Sequence, residues 1–364
     1  MKNNRILIVF PTSNGLGGAE KRFFALWCYL LSKDLNVFLV CDLKIFNQLM
    51  DTSEGKNFLR NLPNLRKNHI SHTFNLKKKI TTVFNHFQKE IVQKEDIIHF
   101  VMISPLKRFS NKTIFSCTFS GLGIFSFMGK VTQFSSVFFS SLTDVLDPKT
   151  FKMFQKIFFY KKNSITMTPN SFTNPEIFFP IEKENIITFC GRFSKEKQIL
   201  DFIKAIPEIN NKIIQNKNQK YKFYIIGTGP QKDEVMQILS TSEYININIQ
   251  CFVSKEPNLI LNKSKIFLSL QKHNNYPSKS LIEAISSGNG IVATNCGDTG
   301  LLAKSDFSEL IPESFTSAEL STGIFKMIER YDADQSIPKK AHIFIRENFT
   351  IEKMGDYFIK LYKK

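Results

Sequence analysis

A short apolar run that breaks at glycines and gives way to helical spacing occurs twice in this 364-residue chain. The first copy is Ile6-Leu7-Ile8-Val9-Phe10, a loop over 12–18 with Gly15, Gly17 and Gly18, and then Ala19 to Ser32, where Phe23, Trp27, Leu30 and Leu31 fall near one helical face. Val37-Phe38-Leu39-Val40 follows as a second strand. Two parallel strands joined through a helix form a βαβ unit. The second copy is Ile186 to Cys190, Gly191, a helix from about 199 to 215, and a strand from Tyr221 to Ile226. Gly227-Thr228-Gly229-Pro230 and a helix to Leu239 come next, then strands expected at Ile245–Phe252 and Ile266–Leu270. Ile97 to Val101 reads as another buried strand, whereas 104–160 shows no clear period. The expectation is an α/β chain of two Rossmann-like domains facing a central cleft, with ligands outside the carboxyl ends of the strands.

The turn-rich patch 163–182, with Pro169, Asn170, Asn174, Pro175 and Pro180, marks the junction. The expected division is 1–172, 173–345, and a closing helix over 346–364 whose stripe is Met354, Tyr357, Phe358, Leu361 and Tyr362. A hydrophobic share of 42% is enough for two cores. The 37 Phe belong to a chain rich throughout in Lys, Asn and Ile and carry little functional weight. Six scattered cysteines with no C-x-x-C pair read as free thiols of a reducing compartment and argue against a zinc site. The first apolar run is too short for a signal sequence. Residues 113–129 carry no charge, but Ser, Thr and Gly fill too much of that stretch for a membrane span.

Charge is uneven. Residues 1–170 hold 24 Lys and Arg against 10 Asp and Glu, a net +14, while 171–364 carry +3. The excess includes Arg66-Lys67, Lys77-Lys78-Lys79, Lys107-Arg108 and Lys161-Lys162. A basic half-molecule attracts anions, and each cation near an anionic bilayer contributes about 1 kcal/mol. The ordinary alternative for any one of these lysines is a solvated face.

Asn275-Tyr276-Pro277-Ser278-Lys279-Ser280-Leu281-Ile282-Glu283-Ala284 is the most informative stretch for function. It opens a helix that ends near Gly288 and precedes a buried strand, Ile291 to Thr294. Free amides at a helix start suit a phosphate, and a nearby carboxylate can accept hydrogen bonds from sugar hydroxyls. The competing reading makes Ser280 and Glu283 a capping box that only ties down its own helix. Gly191-Arg192-Phe193-Ser194-Lys195-Glu196-Lys197 leaves a strand directly. Arg192 and Lys197, five apart, suit one diphosphate, the first as a fork and the second as a point charge. Lys195 and Glu196 read as surface charge.

Gly15-Leu16-Gly17-Gly18-Ala19-Glu20 resembles the opening of a dinucleotide fingerprint, with Asp42 where a ribose acid would lie. Glu20 stands where the third glycine belongs and would repel a pyrophosphate, so Gly17 and Gly18 read instead as points of close backbone approach. Asp332-Ala333-Asp334 has metal-transferase spacing but reads as a surface turn.

Taken in order, these pieces resemble the GT-B glycosyltransferases, in particular the large retaining family four, glycosyl transferases group 1. The resemblance covers nearly the whole chain and rests on Gly17-Gly18-Ala19-Glu20, Gly191-Arg192 with Lys197, Gly227-Thr228-Gly229-Pro230, Tyr276 to Ala284 with Gly288, and the closing helix. It implies that Arg192 and Lys197 bind the donor diphosphate and carry catalysis, and that Glu283 holds the ribose. Gly17, Gly18, Gly191, Gly229, Asn275, Ser280 and Leu281 complete the donor site, and the last helix crosses back to the N-terminal domain. Two departures stand out. Asn275 occupies a position often held by Glu, and Ile114 to Phe119 lacks the His many members carry. His99 ends another strand and reads as structural.

The expected function is metal-independent, retaining transfer of a sugar from a nucleotide-diphosphate donor to a glycan or lipid-linked acceptor in cell-surface polysaccharide biosynthesis. No cofactor is expected, since the nucleotide sugar is a substrate. The expected place is the cytoplasm, peripheral at the inner face of the plasma membrane. One rival is a non-catalytic nucleotide-sugar or glycan-binding relative. A nucleic-acid binder, suggested by the basic half, lacks any recognisable module.

Overall fold

The computed structural model describes residues 4–10, 17–52, 55–56, 89, 91–104, 107–118, 127–168 and 171–364. Arg66-Lys67, Lys77-Lys78-Lys79, Gly15 and Phe119 lie outside them. The chain divides into two compact units, Met1–Ser171 with Ile351–Lys364, and Phe172–Thr350.

The first unit is built on a six-stranded parallel sheet. Its strands are β1 (Ile6–Val9), β2 (Val37–Val40), β3 (Ile97–Val101), β4 (Lys112–Cys117), β5 (Leu142–Val145) and β6 (Ile165–Met167), in spatial order β2-β1-β3-β4-β5-β6. Its described helices are α1 (Gly18–Ser32), α2 (Leu43–Met50), α3 (Phe127–Phe139), α4 (Pro148–Ile157) and α11 (Ile351–Lys363). Strands β1, β2 and β3 are near-continuous apolar runs because both faces are covered, whereas β4 and β5 carry Ser116 and Asp144. Strand β6 falls inside the patch read as a turn-rich junction: Ile165 pairs Thr143 and is buried, which outweighs the prolines that follow it.

α11 packs on α1. A Cβ on Gly355 would strike the Tyr29 ring, so the glycine sets the approach. Beneath α11 runs a fully satisfied polar chain. Tyr362 Oη and His99 Nδ1 are 2.7 Å apart, and His99 Nε2 lies 2.7 Å from Ser116 Oγ. Ser116 in turn donates to Asp144 Oδ2 at 3.0 Å, and Thr168 and Tyr357 each donate to Oδ1 at 2.6 Å. Since the Ser116 proton goes to Asp144, Nε2 carries the imidazole proton and Nδ1 accepts from Tyr362. Burial, helped by the charge of Arg22, lowers the His99 pKa to about 3, so the ring is neutral. His99 is therefore structural, as its place in a strand suggests.

The second unit has β7 (Glu184–Cys190), β8 (Lys222–Ile226), β9 (Ile249–Phe252), β10 (Ser264–Ser269), β11 (Gly290–Thr294) and β12 (Ser308–Ile311), all parallel, in order β12-β11-β10-β7-β8-β9. Strand order reverses between β7 and β10, and this switch point is where doubly wound sheets take ligands. The helices are α5 (Ile199–Lys217), α6 (Lys232–Leu239), α7 (Asn258–Leu261), α8 (Lys279–Ser286), α9 (Ser317–Ala333) and α10 (Ile337–Asn348). One continuous core joins them to the sheet. Strand β9 begins four residues later than Ile245. Tyr244 is buried and donates to Ile203 O on α5 at 3.1 Å, which holds 242–244 in a 3-10 turn and leaves Ile245 75% exposed.

Candidate functional site

Strand β7 ends at Cys190, and the chain turns at Gly191 against the β8 loop. Phe193 N donates to Thr228 O at 2.9 Å, and Gln231 N to Phe193 O at 3.1 Å. A Cβ on Gly227 (φ +152°) would collide with Gly191 O, and one on Gly229 with the backbone of Phe193. Two loops can touch backbone to backbone here only because both positions are glycine. Gly191 itself has ordinary clearance. Gly229 thus shapes the loop from behind.

The 3-10 turn Lys195–Lys197 carries Lys197 back over the switch point. Its Nζ donates to Gln271 Oε1 at 2.7 Å. Burial lowers its pKa to about 8, with Glu196 opposing. Gln271 stands just beyond β10 and is fixed from β11: its N–H donates to Thr294 Oγ1 at 2.8 Å, and that hydroxyl donates back to Gln271 O at 2.8 Å. Lys272 N donates to Glu196 O at 3.0 Å, so the β7 and β10 loops form one wall. Arg192 is exposed, with its guanidinium close enough to help hold Glu196 below its usual pKa after the bond from Ser194.

From Gln271 the chain runs to α8. Asn274 Nδ2 donates to Asp298 Oδ2 at 2.7 Å, and Asn274 Oδ1 accepts from Tyr276 N at 3.2 Å and from Asp298 N at 3.1 Å. Asn275 beside it is exposed. The N-cap of α8 is Ser278, whose buried side chain makes no capping bond. Ser280 is then the second helical residue and Glu283 the fifth, so the capping-box reading does not hold. A fifth-position side chain points away from the N-cap amide. Glu283 is 7% exposed, and its Oε1 lies 3.7 Å from Lys279 Nζ. Leu281 is buried and Ser280 half-buried, so the amides at these positions, rather than the leucine side chain, are what a phosphate could use.

The structure therefore gathers the loops of Gly191, Arg192, Lys197 and Glu283 at one carboxyl edge, though neither cation bonds to Glu283. Gln271, Thr294 and Asn274 hold this edge in place and do not emerge from motif reading. The signal for Gln271 and Thr294 is a polar residue at the end of an apolar run, and Asn274 has none.

In the other unit, Gly17 is the N-cap of α1, and its N–H donates to Glu20 Oε2 at 3.0 Å. Glu20 so closes the helix start that a dinucleotide would need, and burial raises its pKa despite these bonds. Gly17 and Gly18 are both exposed, and a Cβ on Gly18 meets nothing within 4 Å. Asp42 caps α2 by accepting from Lys44 N at 2.8 Å. Asp332 pairs with Lys217 at 2.7 Å and Lys265 at 3.0 Å, and Asp334 pairs with Lys340 at 2.8 Å, which makes the D-x-D a set of surface ion pairs.

Two parallel-sheet Rossmann-like units, the second with its switch point lined by a loop lysine and an uncapped helix start, define the GT-B class. Residues 171–344 match the family model "Glycosyl transferases group 1". An uncharacterized glycosyltransferase of Methanocaldococcus jannaschii, MJ1069, is 24% identical over 182 residues, 49% of this chain and 45% of that protein. The match thus spans less than half the length of that relative. A glycosyltransferase of Rickettsia africae superposes over 100% of this chain and 98% of its own, with TM-score 0.71 and 16% identity. HepE of Anabaena, solved with UDP-glucose, covers 99% of each chain with TM-score 0.73 and 14% identity. Among the described residues, no helix is long and apolar enough to cross a membrane.

Proposed function

We propose that this protein is a retaining glycosyltransferase that moves a sugar from a nucleotide-diphosphate donor to a glycan or lipid-linked acceptor of the cell surface. The observation that carries the reading is Lys197: an ammonium held at the switch point by one neutral amide, with its pKa lowered by burial and no carboxylate bonded to it. Such a cation lacks an anion, and a diphosphate supplies one. Arg192 would add a second positive group from the same loop. Glu283 would accept from the ribose hydroxyls, while Gly191, Asn275 and the amides of Ser280 and Leu281 would touch phosphate or sugar.

Charge building on the departing diphosphate is met by these side chains, so the step needs no metal or cofactor. The leaving phosphate oxygen takes the acceptor proton, which suits a chain whose strand histidine, His99, has both nitrogens engaged. UDP is the natural first probe, because HepE was solved with UDP-glucose. The basic first unit favours an acceptor at an anionic membrane face. The test is release of UDP from UDP-sugars by wild type, Arg192→Ala and Lys197→Ala. Turnover lost in both variants supports the reading. UDP binding without turnover, on any nucleotide sugar, supports a non-catalytic relative, which the exposed Asn275 in place of a carboxylate favours.

A further inference from the structure

Helix α3 packs Val137 and half-buried Phe134 on the core, yet it also buries two polar side chains and exposes an apolar stripe. Its buried residues are Gln133, Ser136 and Val137, and the two polar ones are tied inward. Gln133 Nε2 donates to Met102 O at 2.9 Å, and Ser136 Oγ accepts from Ser104 N at 3.0 Å. The outward face carries Phe127, Val131 and Phe138, exposed by 79%, 37% and 53%. Their spacing of four and then seven residues puts them on one stripe roughly 16 Å long. A helix in water normally turns such a stripe to a core.

The stripe continues into its neighbours. Lys161 Nζ donates to Val137 O at 2.8 Å and Phe138 O at 3.1 Å, which staples the 3-10 turn Phe159–Ser164 to the end of α3. That turn presents Phe159 and Tyr160, exposed by 76% and 58%. Of the nineteen large apolar side chains exposed among the described residues, eight lie between 127 and 167. The same segment is wholly cationic at its surface. Lys149, Lys152, Lys156 and Lys162 are exposed, whereas its two carboxylates, Asp144 and Asp147, are buried at 1% and 0%.

We propose that α3, α4 and the 159–164 turn form a docking face for an anionic lipid surface, with Phe127, Phe138 and Phe159 inserted among the acyl chains and the lysines at the headgroups. Aromatic and aliphatic groups flanked by lysines suit the boundary of a bilayer. A second copy bringing the same face would set lysines against lysines. Nucleic acid would leave the apolar stripe of α3 in contact with phosphates. The purpose of docking rests on the membrane-side acceptor proposed above, but docking itself needs no sugar transfer.

Co-sedimentation with vesicles of equal phosphatidylglycerol and phosphatidylcholine, without nucleotide, tests it. Wild type is expected to bind these vesicles and not pure phosphatidylcholine. Lys152→Gln, Lys156→Gln and Lys162→Gln should each weaken binding roughly fivefold at low salt. The triple variant Phe127→Ser/Phe138→Ser/Phe159→Ser should lose at least tenfold with its melting temperature kept. Because the single native tryptophan, Trp27, is buried, Phe127→Trp adds a reporter whose emission should shift to the blue on binding. The proposal is overturned if wild type ignores anionic vesicles, if the triple variant binds them equally, or if it changes only oligomeric state. It is also overturned if bound Phe127→Trp shows no shift. UDP release is measured separately, so loss of transfer and loss of docking are distinguishable.

Discussion

Replacing Lys197 by Met should make the protein more stable and less active. The ammonium is taken from water and bonded only to Gln271, and its pKa falls from 10.5 to about 8. At 1.36 kcal/mol per pKa unit this fall corresponds to roughly 3 kcal/mol as an upper bound. The side chain keeps some solvent contact, which screens the penalty. Leaving Gln271 Oε1 without its donor costs about 1 kcal/mol. The net gain is then on the order of 1 kcal/mol, or about 2–4 °C for a unit of this size. The sign is fixed by linkage. A lysine whose folded pKa lies below its unfolded value opposes folding fully below about pH 8, and the opposition fades as pH rises from 8 towards 10.5. The variant's advantage should therefore be largest near neutrality and vanish at high pH. Turnover should fall on the order of 10²–10³-fold, the usual cost of one lost donor to developing charge. Calorimetry near pH 7 and pH 10, with UDP release, gives both numbers. A variant that melts lower than wild type at neutrality and still turns over normally would refute the argument.

Glu283→Gln should weaken UDP binding about tenfold; isothermal titration measures this. UDP affinity should fall above pH 8 with proton uptake on binding, because an anion raises the lowered Lys197 pKa; titrations in buffers of different ionisation enthalpy detect the proton. Gly227→Ala should destabilise by about 2–3 kcal/mol in urea titrations, as the new methyl meets Gly191 O at a backbone angle of +152°. Stability should decline as pH falls from 6.5 towards 3, because unfolded His99 takes a proton that folded His99 refuses, about 2.7 kcal/mol over two pH units. The raised pKa of Asp144 works in the opposite sense at acid pH, so the slope is isolated by comparison with His99→Asn.

Strands that are near-continuous apolar runs are legible in the sequence, whereas β4, β5, β6 and β12 are not, because Ser116, Asp144, Thr166 and Glu309 interrupt them. Val37–Val40 and Ile97–Val101 are read to the residue. The sequence was least legible where polarity is mixed. α3 hides Gln133 and Ser136 beside Val137 and shows Phe127 and Phe138, so apolar residues lie on both its faces and a rule that seeks one core face fails. Strand β9 was overcalled because Ile-Asn-Ile-Asn-Ile alternates like a strand, while a single hydroxyl, Tyr244, pins the segment elsewhere. In the candidate site, the charged residues were visible as motifs. What positions them was not, because Gln271, Thr294 and Asn274 act through hydrogen bonds across 23 or 24 residues or more.

α11 is made after the whole of Phe172–Thr350, yet it belongs to the first unit. Tyr362 and Tyr357 are the groups that close off His99 and Asp144. On the ribosome the later unit is therefore complete before the earlier one, reversing the usual vectorial order. A chain ending at residue 350 would hold the whole of Phe172–Thr350, while the carboxylate of Asp144 and the imidazole of His99 would still lack their tyrosine partners.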